Sequence, residues 1–197
     1  PLIGALKFLE QEKLVESVPR RGFFVRLFSK EEMVYIFELR EVLEGLAARR
    51  AASKITDAQI IKLNSFFKLF ARQKNISDVK GYAREDRRFH SFVIDVGAKE
   101  FLKGILLTTN IISFSYQVLH SEGLVRPPNE TIKEHCAVIE AIKARDSESA
   151  EDLMRLHFKK SLAYLKREIN GKEKGNTTTP VVKNNASLMK GGDASQP

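Results

Sequence analysis

Thr131–Leu162, TIKEHCAVIEAIKARDSESAEDLMRLHFKKSL, is the stretch whose reading decides the fold. Ile132, His135, Ile139 and Ile142 recur at helical spacing, and so do Ala150, Leu153, Met154, His157 and Ser161. Pro127-Pro128 break the chain ahead of the first helix, expected from about Asn129 to Ala144. Asp146 or Ser147 caps the second, expected to run to about Asn170. A connection this short sets the two helices antiparallel.

The same pattern extends upstream. Ser29, with Glu32 three residues on, forms a capping box for a long helix carrying Met33, Phe37, Leu43 and Ala47 and reaching about Ser53. Thr56 or Asp57 opens a second helix with Ile60, Leu63, Phe66, Phe67 and Phe70 on its apolar side. Asp78 caps a third that ends near Gly97, and LLTTNIISFSYQVL (residues 106–119) supplies a fourth. Six amphipathic helices with short connections and hardly any strand pattern predict an all-α, antiparallel six-helix bundle.

Three of the four histidines and one aspartate sit on the inward faces of these helices. Asp86 and His90 stand four residues apart, on one helical face with Tyr82, Phe89 and Val93. His135 and His157 lie on the stripes already described. A single buried imidazole is commonly a hydrogen-bonded core residue. Three of them with a carboxylate suggest a divalent cation, and this ligand set suits Zn, Ni, Mn or Fe with positions left for water or a small ligand. The alternative is a polar core cluster satisfied by hydrogen bonds alone. His120 lies near a helix end and reads as solvent-exposed, and Cys136 reads as a small core or interface residue.

Charge is less informative. Thirty-three Lys and Arg against 25 Asp and Glu give a net +8 over 197 residues. Residues 1–28 hold five basic and three acidic residues, and the tail from Gly171 four and two, so the excess is spread out. No apolar run approaches the roughly 18 residues of a membrane span. The lone Cys136 excludes an internal disulfide and, with no signal segment opening the chain, fits a cytoplasmic protein. The 27 residues from Gly171 to Pro197 have no apolar period and read as a disordered tail.

The chain opens with PLIGALKFLEQEKLVESVPRRGFFVRLF, an apolar helical stripe followed by two strand-like runs around Pro19-Arg20-Arg21-Gly22. A helix followed by a basic-tipped hairpin is the second half of a winged helix-turn-helix, and a small helix-hairpin cap is the alternative.

Two resemblances then narrow the reading. Pro1, Ala5, Leu6, Leu9, Glu10, Glu12, Leu14, Val15, Pro19, Arg21, Gly22 and Val25 resemble the end of the DNA-binding domain of the GntR family of bacterial transcription regulators. Ile3-Gly4 departs from the family's Arg-Glu pair, and Lys13 stands where the family has glycine. Residues from about 30 to 168 resemble the FadR-type (FCD) effector domain of the same family. Leu39, Arg40, Leu43, Glu44, Ala47 and Ala48 carry its first-helix motif, Asp86 and His90 its "D-x-x-x-H". Glu134, His135, Ile139, Ala141, Ile142, Asp146, Ala150, Met154 and His157 carry its C-terminal motif.

The resemblance implies a ligand-responsive, DNA-binding transcription regulator that is not an enzyme. It divides the chain into a partial winged helix-turn-helix over residues 1–28, a metal- and effector-binding domain over 29–170 and a tail over 171–197. Asp86, His90, His135 and His157 would hold the metal, and Arg40, with Asn110, could steady the carboxylate of a small organic acid. Lys7, Arg20 and Arg21 would meet operator DNA, and the protein would act as a homodimer. The likeness is to an N-terminally truncated member. With the first two helices of the winged domain ahead of Pro1, this chain alone is expected to bind DNA weakly or not at all. A metal-dependent hydrolase and a metabolite-sensing relic without DNA binding are the competing functions.

Overall fold

The computed structural model describes residues 1–98, 102–109 and 124–173. The chain starts with helix α1 (Leu2–Gln11) and an antiparallel hairpin of β1 (Val15–Val18) and β2 (Gly22–Val25), in register Val15↔Val25 and Val18↔Gly22. Lys13 ends α1 in the left-handed region at φ 61°, where the family's glycine would sit without strain. The amides of Lys13 and Leu14 turn back to the carbonyls of Glu10 and Leu9, both at 3.0 Å, closing the helix as a Schellman motif. No residue of α1 is buried, and Leu2, Ile3 and Phe8 are exposed.

The helical body follows as α2 (Lys30–Lys54), α3 (Asp57–Leu63), α4 (Val79–Gly97), α5 (residues 102–109), α6 (Pro128–Lys143) and α7 (Ser147–Glu173). The expected caps form: Ser29 with Glu32, Thr56 with Gln59, and Asp78 accepting from the Gly81 amide. Helix α2, 25 residues and about 37 Å long, is the spine. It packs along α7 and also against α4 and α6. Its inner face is Met33, Phe37, Ala48, Ala51 and Ala52, interrupted by two buried ions, Arg40 and Glu44. No helix among the described residues is long and apolar enough to cross a membrane.

The second helix of the bundle is shorter than its pattern suggests. It stops at Leu63, and residues 64–72 form turns, with Phe67 at φ 60°. Phe66, Phe67 and Phe70 are nevertheless all buried. Leaving the helix lets Phe67 lie flat on the His135 ring, with centroids 4.8 Å apart and planes 5° from parallel. A Glu85 carboxylate oxygen accepts the Phe67 amide at 3.2 Å, replacing a helical bond. Most of the expected fourth helix, including Asn110, falls outside the described residues, as do His120 and residues 174–197 of the tail.

Helix α4 crosses α2 at closest approach beside Gly97. A Cβ there would lie 1.9 Å from the Ala47 carbonyl oxygen, so the two backbones touch only because position 97 has no side chain. Gly97→Ala is expected to destabilise by about 1–3 kcal/mol, as overpacking does. At about 2–4 °C per kcal/mol for a domain of this size, the melting temperature should drop by several degrees. Gly104→Ala on α5, where nothing lies within 4 Å of the added carbon, should cost nothing. Equal melting temperatures for the two variants would refute this contact.

Candidate metal centre

Three helices bring four polar side chains to one point in the bundle. Helix α4 presents Asp86 and His90 one turn apart, α6 presents His135, and α7 presents His157. All three imidazoles are buried, His135 completely. One ring nitrogen from each lies within 4.8 Å of the others. Asp86 Oδ1 stands 3.2 Å from His135 Nε2 and 4.0 Å from His90 Nε2.

Hydrogen bonds on the outer sides of the rings fix which nitrogens face inward. His90 Nδ1 is 2.6 Å from Glu44 Oε2, and His157 Nδ1 is 2.9 Å from Glu134 Oε2. A carboxylate only accepts, so both rings donate from Nδ1 and turn Nε2 to the other side. His135 Nδ1 meets the Tyr82 hydroxyl at 3.0 Å, and that hydroxyl meets Thr131 Oγ1 at 2.8 Å. His135 Nε2 is buried and has no hydrogen-bond partner, although Asp86 Oδ1 is so near. With the proton on Nδ1, that nitrogen and that oxygen are two facing lone-pair carriers.

A cation resolves this conflict. Two ligands about 2.1 Å from a common ion stand roughly 3.0–3.4 Å apart at coordination angles of 90–109°, and the observed pair falls in that range. The donor set of three imidazoles and a carboxylate therefore fits a divalent ion, and Asp86, His90, His135 and His157 could hold it. The cavity that borders Asp86, His90 and His157 offers about 20 Å³, room for one water-sized guest but not for an organic acid.

The electrostatics around these ligands are strongly biased. Burial pushes the Glu44 carboxyl up, but the charges of Arg40 and His90 and their hydrogen bonds outweigh it and bring it down to about 2. Burial likewise raises Glu134, and hydrogen bonds from His157, Arg126 and Lys160 hold it well below the carboxylate range. Burial, then the Asp86 charge, lifts the Tyr82 phenol far above its usual value, so it stays a neutral link.

Residues 35–160 match the FCD domain, and a GntR-family regulator from Pseudomonas syringae pv. tomato shares the fold. The chain is a GntR-family regulator carrying an FCD domain. Among the relatives of this regulator, the uncharacterized HTH-type transcriptional regulator YdhC of Bacillus subtilis is 25% identical over 178 residues, 88% of this chain and 78% of its own. The HTH-type transcriptional repressor RspR of Escherichia coli K12 is 24% identical over 168 residues, 80% of this chain and 69% of its own. The Pseudomonas structure overlays with a TM-score of 0.59 at 19% identity, over 89% of this chain and 72% of that one. Escherichia coli McbR/YncC overlays at 0.68 and 18% identity, over 84% and 83%.

The structure brings together all four residues that the sequence nominates as metal ligands. Arg40 is not on a solvated face: it is buried, its Nε donates to Glu44 Oε1 at 2.6 Å, and its guanidinium sits 4.6 Å above the Phe158 ring. It lines the small cavity with His90 and His157. Glu134, which by helical angle projects away from His135, instead serves His157 on the neighbouring helix. Lys7, Arg20 and Arg21 are exposed on α1 and the hairpin tip. Sequence reasoning missed Arg126, a buried guanidinium just before α6 that donates to Glu134 at 2.5 and 3.1 Å and to Ser161 at 3.2 Å. Its sole signal is a basic residue between Leu124-Val125 and the paired prolines.

The buried rings also set a pH response. Burial, helped by the charges of His157, His90 and Arg126, lowers His135 well below its ordinary value of 6.5. Burial lowers His157 too, against the opposing hydrogen bond of Glu134. An unfolded chain takes up these protons near pH 6.5 while the folded one refuses them, so this contribution is whole above 6.5 and declines as pH falls. Metal-free protein should melt at a constant temperature above about pH 7 and at steadily lower ones from about pH 6.5 to 5. Melting that improves with acid over that window would contradict the neutral rings.

Proposed function

We propose that this FCD regulator senses a small organic acid at a divalent metal held by Asp86, His90, His135 and His157, with Zn, Ni, Mn or Fe as the fitting ions. The unsatisfied His135 Nε2, beside Asp86 in a cluster of three imidazoles, is the observation that carries this reading. Bound there, such an ion would supply a Lewis-acidic point of attachment for a carboxylate. Charge favours an anionic partner. With neutral imidazoles, Asp86, Glu44 and Glu134 stand against Arg40 and Arg126, and a divalent ion leaves the buried centre positive. Arg40 borders the cavity and would receive the second carboxylate oxygen, with Asn110 a further polar contact.

The present cavity is too small for such an acid, so its entry must displace lining side chains, and this supports a coupling route. Arg40 and Glu44 both lie on α2, which is separated by four residues from the end of the hairpin at Val25. In the homodimer we envisage, a shift of α2 would alter how Lys7, Arg20 and Arg21 of each protomer approach operator DNA, by the usual 1–3 kcal/mol or so of an allosteric coupling. On this reading, residues 1–28 read DNA and residues 29–170 sense the acid, and no catalytic step is needed.

Metal-stripped protein incubated with zinc and dialysed should retain close to one equivalent by elemental analysis, and His135→Ala should retain essentially none. In a panel of small carboxylates, at least one should raise the melting temperature of the loaded protein alone, by up to about 2.7 kcal/mol of stabilisation at a hundredfold excess over its Kd. Wild-type protein that keeps no metal would leave a polar core cluster in place of the sensor.

A further inference from the structure

Two of the three rings share one attachment. Arg40 Nε donates to Glu44 Oε1 at 2.6 Å, and Glu44 Oε2 takes the His90 Nδ1 proton at 2.6 Å. On the other side, Arg126 grips Glu134 with both amino groups, Nη1 to Oε1 at 3.1 Å and Nη2 to Oε2 at 2.5 Å, and Glu134 Oε2 also faces His157 Nδ1 at 2.9 Å. The two chains come from different elements: α2 reaches α4 in the first, and α6 with the residue preceding it reaches α7 in the second.

We propose that Glu44 and Glu134 are the positioning residues of the metal centre, each locking one imidazole in the tautomer that turns Nε2 inward and each held in place by its own arginine. This rests on the metal reading above. The direction of each chain follows from what its members can do. A guanidinium and an ammonium only donate and a carboxylate only accepts, so the proton between each glutamate oxygen and its ring sits on Nδ1; at Glu134 the other donors, Arg126 and Lys160, reach the same carboxylate. His135 has no such lock, because the Tyr82 hydroxyl that meets its Nδ1 can act as either donor or acceptor. Outer-sphere carboxylates of this kind orient histidine ligands and raise their basicity. Glu44 is wholly buried and Arg40 nearly so, and that ion pair would be an expensive feature of a core with no ligand to orient.

Glu44→Gln and Glu134→Gln test this, since each keeps the shape but leaves one acceptor oxygen. At position 44 Arg40 claims that oxygen, and at 134 Arg126 Nη1 and Lys160 Nζ together outweigh the single Arg126 Nη2 on the other side, so the amide NH2 faces Nδ1 and drives the proton to Nε2. Nitrogen-15 spectra of metal-free protein should show His90 and His157 as Nδ1–H tautomers in the wild type. His90 should shift toward Nε2–H in Glu44→Gln, and His157 in Glu134→Gln. Zinc affinity by chelator competition should fall about 10–100-fold in each variant. Glu134 is partly solvent-accessible, so its variant is the one expected to keep its circular dichroism if the Glu44 variant does not fold. A folded Glu134→Gln with unchanged tautomer and unchanged zinc affinity overturns the inference while leaving the metal centre intact. A wild type that binds no zinc overturns the metal centre itself, and the metal-free tautomers still decide whether the two glutamates position the rings.

Discussion

Three buried imidazoles whose centroids lie 4.6–5.4 Å apart constrain everything else in this fold. Like charges at that range in a buried site would repel strongly. The rings cannot all be idle either, since a buried nitrogen without a partner costs free energy. The protein meets the first condition by burying the rings beneath Phe67, Phe89 and Phe158, and it meets most of the second with Glu44, Glu134 and Tyr82 on their outer sides. What is left over is one nitrogen and one carboxylate oxygen facing each other, and that residue of the problem is what a cation fits.

The architecture can be read as the means of holding that arrangement. Helices α4, α6 and α7 each contribute candidate ligands at a middle turn, where fraying is least. Helix α2 contributes none, yet through Arg40 and Glu44 it is tied to His90, and it is also the element that continues from the hairpin. The close crossing at Gly97 and Ala47 fixes α4 against α2 just below the centre. Phe67 leaves helical geometry to cover His135, a local departure from regular structure beside the one ring of the three whose Nδ1 meets a hydroxyl and not a carboxylate.

Much of this was legible in the sequence, and the limits have physical causes. Periodicity placed Asp86, His90, His135 and His157 on inward faces because each lies on an apolar stripe of its own helix. Capping residues fixed the starts of α2, α3 and α4 for the same local reason. Arg40 and Glu44 were ambiguous, since an i,i+4 ion pair looks identical in sequence whether solvated or buried. Glu134 carried no assigned role because adjacent helix residues point about 100° apart, and sequence does not say that its direction faces α7. Phe66, Phe67 and Phe70 fit a helical stripe, and nothing local announces that Phe67 adopts a left-handed backbone. Arg126 precedes a helix in an unpatterned segment, where no periodicity argument applies.

X-ray absorption at the zinc edge of the loaded protein tests the central claim most directly. Convergence of these side chains predicts a first shell of nitrogen and oxygen at about 2.0–2.2 Å, with the outer-shell multiple scattering of three imidazoles. A spectrum with one imidazole or none, at full occupancy, would place the metal elsewhere on the molecule and contradict the account.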